Sequence, residues 1–169
     1  GSHSINISVE EILNKLTKIA YVIHISGDNK FKDFERLVGR QSEIYLILKW
    51  IGNEFGAVLR RVNLVVSRAG ANTLSELAYL RKFALVIPFE PLYQDEQNKN
   101  AKYFEKLGYV SILPQGKLSG LMLLEKIKAL LNNPKFSAYK LSKLSKEKIG
   151  IGKANETNAA KRLALEALL

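Results

Sequence analysis

The chain has 169 residues and no cysteine, carries a formal net charge of +10, and is 47% hydrophobic and 25% charged. That length suits one domain with a sizeable core. The composition excludes a disordered chain, and the lack of cysteine excludes disulfides and thiolate zinc sites while being compatible with a reducing cytoplasm. No apolar run is long enough for a membrane-spanning helix.

Gly1-Ser2-His3 looks like the remnant of a cleaved affinity tag, which leaves 4–169 as the folded domain. Ile5 to Ile19 has a helical period, with Ser8 as a plausible N-cap and Glu10-Glu11 in the first turn. Tyr21 to Ile25 reads as a strand ended by Ser26-Gly27, and Phe31 to Val38 as a short helix. Ile44 to Lys49 is a second strand running into the loop Trp50-Ile51-Gly52-Asn53, after which Phe55, Val58 and Leu59 suggest another short helix. Asn63 to Ser67 is a β-branched run, Thr73 to Leu80 a helical pattern, and Ala84 to Ile87 an apolar strand stopped by Pro88. Glu96 to Leu107 is helical up to Gly108, Tyr109 to Leu113 a last strand, and Leu118 to Leu131 a helix; 136–149 and 154–169 carry further helical patterns. Strands alternating with helices predict an α/β fold. It is a Rossmann-like parallel sheet of about five strands flanked by helices, with ligands bound beyond the carboxyl ends of the strands.

At that edge the turn Arg68-Ala69-Gly70-Ala71-Asn72-Thr73 stands out. Gly70 would permit a sharp turn or a close backbone approach, and the amides of Ala71, Asn72 and Thr73 would open a helix N-terminus suited to a phosphate. An ordinary tight turn capped by Asn72 or Thr73 explains the same residues. Glu76 fits either a Thr-x-x-Glu capping box with Thr73 or a carboxylate accepting from a ribose diol. Asp95, Glu96, Gln97, Asn98 and Asn100, with Gln94 before them, suit sugar hydroxyls or the solvated first turn of a helix. His24, inside an apolar strand, reads as a satisfied core histidine. No metal-ligand spacing, Walker sequence or Gly-x-Ser-x-Gly elbow occurs.

The basic excess clusters late, at Lys135, Lys140, Lys143, Lys146, Lys148, Lys153, Lys161 and Arg162. A solvated helical face is the simpler reading of that run, and attraction to anionic lipid headgroups stays open. Charge alone motivates a nucleic-acid-binding reading, since the aromatics form no recognisable RNA-binding signature.

The run Ser67-Arg68-Ala69-Gly70-Ala71-Asn72-Thr73-Leu74-Ser75-Glu76-Leu77-Ala78, then Lys82 to Pro88, then Asp95-Glu96-Gln97-Asn98-Lys99-Asn100-Ala101, resembles the MurG family, as does Val22 to Gly27. The resemblance implies the C-terminal, donor-binding half of a GT-B fold. It covers the chain from about Ile5 to near its C-terminus. The family's acceptor domain and first glycine-rich loop fall outside the match, so the chain looks like a cut-out donor domain. The implied enzyme is an inverting hexosyltransferase. It moves N-acetylglucosamine from UDP-N-acetylglucosamine to lipid I in peptidoglycan synthesis, and so serves cell-wall biogenesis, cell shape and division. It would act as a cytoplasmic, peripheral protein at the inner face of the cell membrane. Residue by residue, Ile51 or its loop neighbours would pack on uracil, and Ala71, Asn72 and Thr73 would hold the diphosphate. Glu76 would take the ribose hydroxyls and Gln97 the sugar hydroxyls. Glu96 stands where the family often has histidine or glutamine. The resemblance implies no cofactor and no metal, and no catalytic residue in this half. Loss of a first strand would leave a sheet edge open to dimerisation. Rivals are the donor subunit of a two-chain GT-B enzyme, a diacylglycerol sugar transferase using UDP-galactose, and, more distantly, the nucleic-acid-binding domain.

Overall fold

The computed structural model describes residues 1–90 and 95–133. The expected helices over 136–149 and 154–169, the late lysine run and Gln94 lie outside the described residues. Helices and strands alternate: α1 (His3–Leu16), β1 (Val22–Ile25), α2 (Asp33–Leu37), β2 (Tyr45–Leu48), α3 (Phe55–Arg61), β3 (Val65–Ser67), α4 (Ala71–Tyr79), β4 (Ala84–Val86), α5 (Glu96–Lys106), β5 (Val110–Ile112) and α6 (Gly120–Leu131). Every strand pairing is parallel.

The strands form two ladders rather than one sheet. β1 pairs with β2, in register from Val22 opposite Tyr45 to Ile25 opposite Leu48. β3, β4 and β5 form the other, in that order. Among the described residues no ladder joins β1 to β3. A cavity of about 910 Å³ lies between them, lined by residues of both strands. Burial follows this arrangement: each residue of β4, paired on both sides, is wholly buried, whereas all of β3 and three of the four residues of β1 are only part-buried.

The core is built by strand alternation. Leu85 and Ile87 point to one face, against Val9, Ile12 and Leu16 of α1 and Leu123 and Ile127 of α6. Ala84 and Val86 point to the other, against Leu59, Leu74, Leu77 and Ala101 of α3, α4 and α5. A third cluster packs Leu13 and Leu37 on Tyr45 and Ile47 of β2. α1 and α6 touch closely at Gly120, where a Cβ would stand 2.8 Å from both Glu11 Cβ and Ile12 Cγ2. The Gly120 N–H donates to Glu11 Oε2 at 2.8 Å, and Ser119 caps α6 by accepting from Met122 N.

The α1 helix differs from its expected start. It begins at His3, and Ser8 is no cap but a buried helical residue whose hydroxyl donates to the Ser4 carbonyl. The reason is tertiary. His3 stacks on Phe31, with ring centroids 3.7 Å apart, and its Nδ1 meets the carboxylate of Asp33. Of the residues set aside as a tag remnant, His3 is thus the first of the helix and Ser2 its cap position.

His24 is the core histidine that its apolar strand suggested. Asn6 Nδ2 donates to the Ser26 carbonyl at 2.9 Å and to Asp33 Oδ2 at 2.7 Å, which fixes the amide orientation. Asn6 Oδ1 therefore faces His24 Nε2 at 2.9 Å, so that nitrogen carries the proton. Nδ1 then accepts from the Tyr45 hydroxyl at 2.9 Å. Burial outweighs the pull of nearby Asp33 and lowers the His24 pKa to about 4, and burial pushes Tyr45 up to about 12. Burial alone would raise the Asp33 carboxyl, but hydrogen bonds from Asn6, His3 and Asn29 hold it below its usual value.

A histidine kept neutral in the fold binds its proton less readily than in the unfolded chain. Stability from this source is therefore full above pH 6.5 and declines as the pH falls from 6.5 to about 4. At about 1.36 kcal/mol per pH unit, the loss reaches about 3 kcal/mol. Urea unfolding at pH 7 and pH 4.5 should show that loss, and His24→Gln should flatten the dependence across this window. An unchanged slope in the variant would assign the effect elsewhere.

Candidate functional site at the carboxyl edge of the strands

Within each ladder the strands are parallel, and the N-terminal turn of α1 bonds both Ser26, just past β1, and Arg68, just past β3, so the loops after β1, β2, β3 and β4 share one edge. The centre of that edge is the step from β3 to α4. Gly70 occupies the N-cap position of α4 with φ −67° and ψ 138°, ordinary extended geometry, so the turn does not require a glycine's conformational freedom. What Gly70 provides is space: a Cβ there would meet nothing within 4 Å. No side chain caps the helix, and the first helical bond starts at Leu74 N, which donates to the Gly70 carbonyl. The amides of Ala71, Asn72 and Thr73 thus open the helix without a side-chain cap, at the positive end of its dipole. Neither Asn72 nor Thr73 caps it, contrary to the ordinary-turn reading.

The capping-box reading of Glu76 is likewise overturned. Thr73 stands inside α4, three residues past the N-cap, so Glu76 has no box to close. Glu76 is exposed and takes no hydrogen bond among the described residues. Its carboxylate lies one turn beyond the helix start, with its full acceptor capacity unused.

Gln97 belongs to the first turn of α5, where Glu96 is the first residue and Asp95 the cap position. Glu96 is exposed. Gln97 is tied in: its Oε1 accepts from Phe89 N at 2.9 Å and Ala69 N at 3.3 Å, bridging the loops that leave β4 and β3. Its carbonyl oxygen is thereby committed to the backbone, and the amide nitrogen is the end left for a ligand. Asn98 donates to Asp95 Oδ1, and Asn100 reaches the Ala69 carbonyl. The polar cluster after β4 is in part internal scaffolding for the β3–α4 turn.

At the β2 edge Ile51 is part-buried and lines the cavity, beside a Trp50 that is 74% exposed. Lys49 pairs with Glu35 at 2.7 Å and approaches Asp28 at 3.6 Å, which links the β1 and β2 loops. The edge brings Ala71, Asn72, Thr73, Glu76, Gln97 and Glu96 onto neighbouring segments. Ile51 joins from across the gap, after β2.

Arg68 is the residue that sequence reasoning passed over. Its Nη1 donates to the carbonyls of Ile87 and Pro88 at 3.0 and 3.2 Å. Nε reaches Ser2 Oγ at 3.0 Å and Nη2 reaches Ser4 Oγ at 2.8 Å. The guanidinium also lies 5.5 Å from the Phe89 ring centroid. Burial lowers its pKa, against a raising contribution from Glu90. The signal available in the sequence was a cation placed directly between an apolar strand and a glycine turn. Among the described residues no group of three histidine, aspartate or glutamate side chains could hold a metal ion.

The model of the glycosyltransferase family 28 C-terminal domain matches residues 1–163. The chain belongs to this family. A UDP-N-acetylglucosamine–N-acetylmuramyl-(pentapeptide) pyrophosphoryl-undecaprenol N-acetylglucosamine transferase of Clostridium perfringens is 36% identical over 166 residues, which is 97% of this chain and 44% of the relative. The transferase of the same name from Gloeothece citriformis is 34% identical over 165 residues, 97% of this chain and 42% of that one. The chain thus spans less than half the length of these curated relatives. The crystal structure of Acinetobacter baumannii MurG shares the fold at a TM-score of 0.60 and 20% identity, over 95% of this chain and 48% of that one. The resemblance carried by Ser67 to Ala78 and Asp95 to Ala101 is therefore borne out. The fold is the C-terminal, Rossmann-like half of a GT-B architecture.

Arg68→Met should leave two buried carbonyls without their donor, at about 1–3 kcal/mol for each unpaired group. We expect a lower urea midpoint with an unchanged m-value. A midpoint within error of the parent would show that the guanidinium adds nothing to the fold.

Proposed function

We propose that this chain binds UDP-N-acetylglucosamine as the donor half of an inverting N-acetylglucosamine transferase acting on lipid I in peptidoglycan synthesis. The observation that carries the reading is the uncapped start of α4, with open space over Gly70 and, one turn on, a Glu76 that has no hydrogen-bond partner among the described residues. The amides of Ala71, Asn72 and Thr73 bind the diphosphate, where peptide dipoles and N–H groups favour negative charge. Glu76 accepts from the ribose diol. Ile51 packs on the uracil, with Trp50 beside it. The amide nitrogen of Gln97 donates to a sugar hydroxyl, and Glu96 accepts from another.

In transfer, the acceptor hydroxyl attacks the anomeric carbon while the bond to the UDP oxygen breaks, and charge grows on the departing diphosphate. The α4 terminus opposes that charge without needing to rearrange, which lowers the barrier. The base that takes the hydroxyl proton belongs to the acceptor half, so the 169-residue chain binds donor without turning it over. The whole enzyme works at the inner face of the cell membrane, where its lipid-linked acceptor lies and where the chain's basic excess suits anionic headgroups. Among the described residues no helix is long and apolar enough to cross a membrane.

Calorimetry with UDP-N-acetylglucosamine, compared with UDP-galactose, tests the reading. Glu76→Ala should weaken UDP-sugar binding about tenfold or more, since charge-assisted hydrogen bonds contribute roughly 1.5–3 kcal/mol. The melting temperature should not move, because Glu76 has no hydrogen-bond partner among the described residues. Gly70→Val should abolish binding by filling the space over the helix start. Equal affinity in parent and Glu76→Ala would remove the ribose role. A preference for UDP-galactose would move the chain to a different donor.

A further inference from the structure

The ladder between β3 and β4 ends just short of the site. Among the described residues its last backbone bond runs from Ile87 N to the Ser67 carbonyl, at 2.9 Å. Beyond that point β3 turns toward Gly70 and α4, while β4 runs into Pro88, which has no N–H to offer. Ala69 N stands at one strand exit and Phe89 N at the other. The side-chain oxygen of Gln97 accepts from both, at 3.3 and 2.9 Å. An amide oxygen has two lone pairs, so one atom can close the fork where the ladder opens.

Ala69 is the residue through which this brace acts. It is wholly buried and stands one residue before Gly70, whose carbonyl accepts the first helical bond of α4 from Leu74 N. Gln97 holds the Ala69 N–H, and Asn100 Nδ2 reaches the Ala69 carbonyl at 3.5 Å. Gln97 and Asn100 are three residues apart on α5 and so share one side of the helix. The first turn of α5 therefore grips a single residue by both of its backbone polar groups. Only Gly70 separates that grip from the amides of Ala71, Asn72 and Thr73. Gly70 has ordinary extended angles and no side chain caps α4, so nothing at the helix start itself fixes the direction of those amides.

We propose that Gln97 is a positioning residue for the diphosphate, apart from any contact it makes with the sugar. Its Oε1 holds the β3 and β4 exits together and thereby aims the amides at the start of α4. Its Nε2, on the same rigid amide plane, is the end that donates to the sugar. The inference rests on the donor reading above and deepens it. A sugar hydroxyl that accepts from Nε2 polarises the amide and strengthens the two bonds at Oε1. Sugar and diphosphate then support each other's binding through one side chain, and that coupling is reciprocal.

The test uses two variants. Gln97→Met keeps the length of the side chain but has no amide oxygen, whereas Gln97→Glu keeps the acceptor and loses the amide donor. Order parameters of the backbone amides are measured first, in the ligand-free protein. We expect Gly70 to Thr73 to fall from about 0.85 toward about 0.6 in Gln97→Met and to regain the parent's values in Gln97→Glu, with α3 unchanged in both. Calorimetry with UDP, which carries no sugar, then separates positioning from contact. Gln97→Met should weaken UDP about fivefold or more, since two neutral hydrogen bonds to the turn are lost, and UDP-N-acetylglucosamine by a larger factor. Three results would overturn the proposal: order parameters in Gln97→Met that stay at the parent's values or fall equally in α3; a loosening that Gln97→Glu does not reverse; or equal UDP affinity in parent and Gln97→Met with UDP-N-acetylglucosamine alone weakened, which would leave Gln97 a sugar contact only. A parent that binds neither nucleotide would overturn the donor function and with it the ligand role of the brace, while the order parameters would still report the brace itself.

Discussion

Because no ladder connects β1 to β3, the two halves of this domain are held together through α1. Its apolar side packs with α6 over β4, while its N-terminal turn reaches both ladders with polar groups. Asn6 grips the first ladder through Ser26 and, by way of His24, Tyr45. Arg68 of the second ladder grips Ser2 and Ser4. Each contact is buried or part-buried, and each involves a group that costs free energy to leave unpaired. A buried polar chain of this kind is worth most when every member is satisfied, and the Tyr45–His24–Asn6–Asp33 series meets that condition in one tautomer and one amide orientation.

The same contacts place the backbone proposed to face the donor. Arg68 fixes the β3 exit against the β4 exit through the carbonyls of Ile87 and Pro88, and Gln97 draws the N–H groups of Ala69 and Phe89 together from the other direction. The helix start at Ala71 is therefore presented by a braced turn, with open space over Gly70 and no hydrogen-bond partner for the Glu76 carboxylate among the described residues. Structure and function divide the residues cleanly: those that brace are bonded inward, and those assigned to the donor have unused hydrogen-bonding capacity. Gln97 belongs to both groups, with its oxygen bracing and its nitrogen without a partner among the described residues.

Much of this was legible in the sequence because local pattern and tertiary fold agree over Asn63 to Ile87. There a β-branched run, a glycine turn and an apolar helical face each demand one structure. The positions misjudged were those where a distant partner decides. Ser8 has the chemistry of a cap but lies within a helix that packing against Phe31 and Asp33 carries back to His3. Glu76 was open to two readings, capping box or ribose acceptor, and a helix that starts two residues earlier than Thr73 removes only the first. Arg68 carries no periodic signal, and its importance comes from carbonyls nineteen and twenty residues away. Five strands could be counted, but their division into two ladders could not. A strand's sequence records that it is buried on both faces, not which neighbour lies at its edge.

That last distinction bears on how the site works. The α4 N-terminus could hold the proposed diphosphate only as well as its amides are held in place, and β3, from which it springs, is laddered on one side alone among the described residues. Its three residues are part-buried, whereas those of β4, one strand further in, are fully enclosed. Packing from α3 and the Arg68 bonds compensate for some of the missing ladder, but they act at the ends of the strand and on one of its faces. The sheet that orients the amides at the start of α4 is thus least constrained at the strand nearest to them.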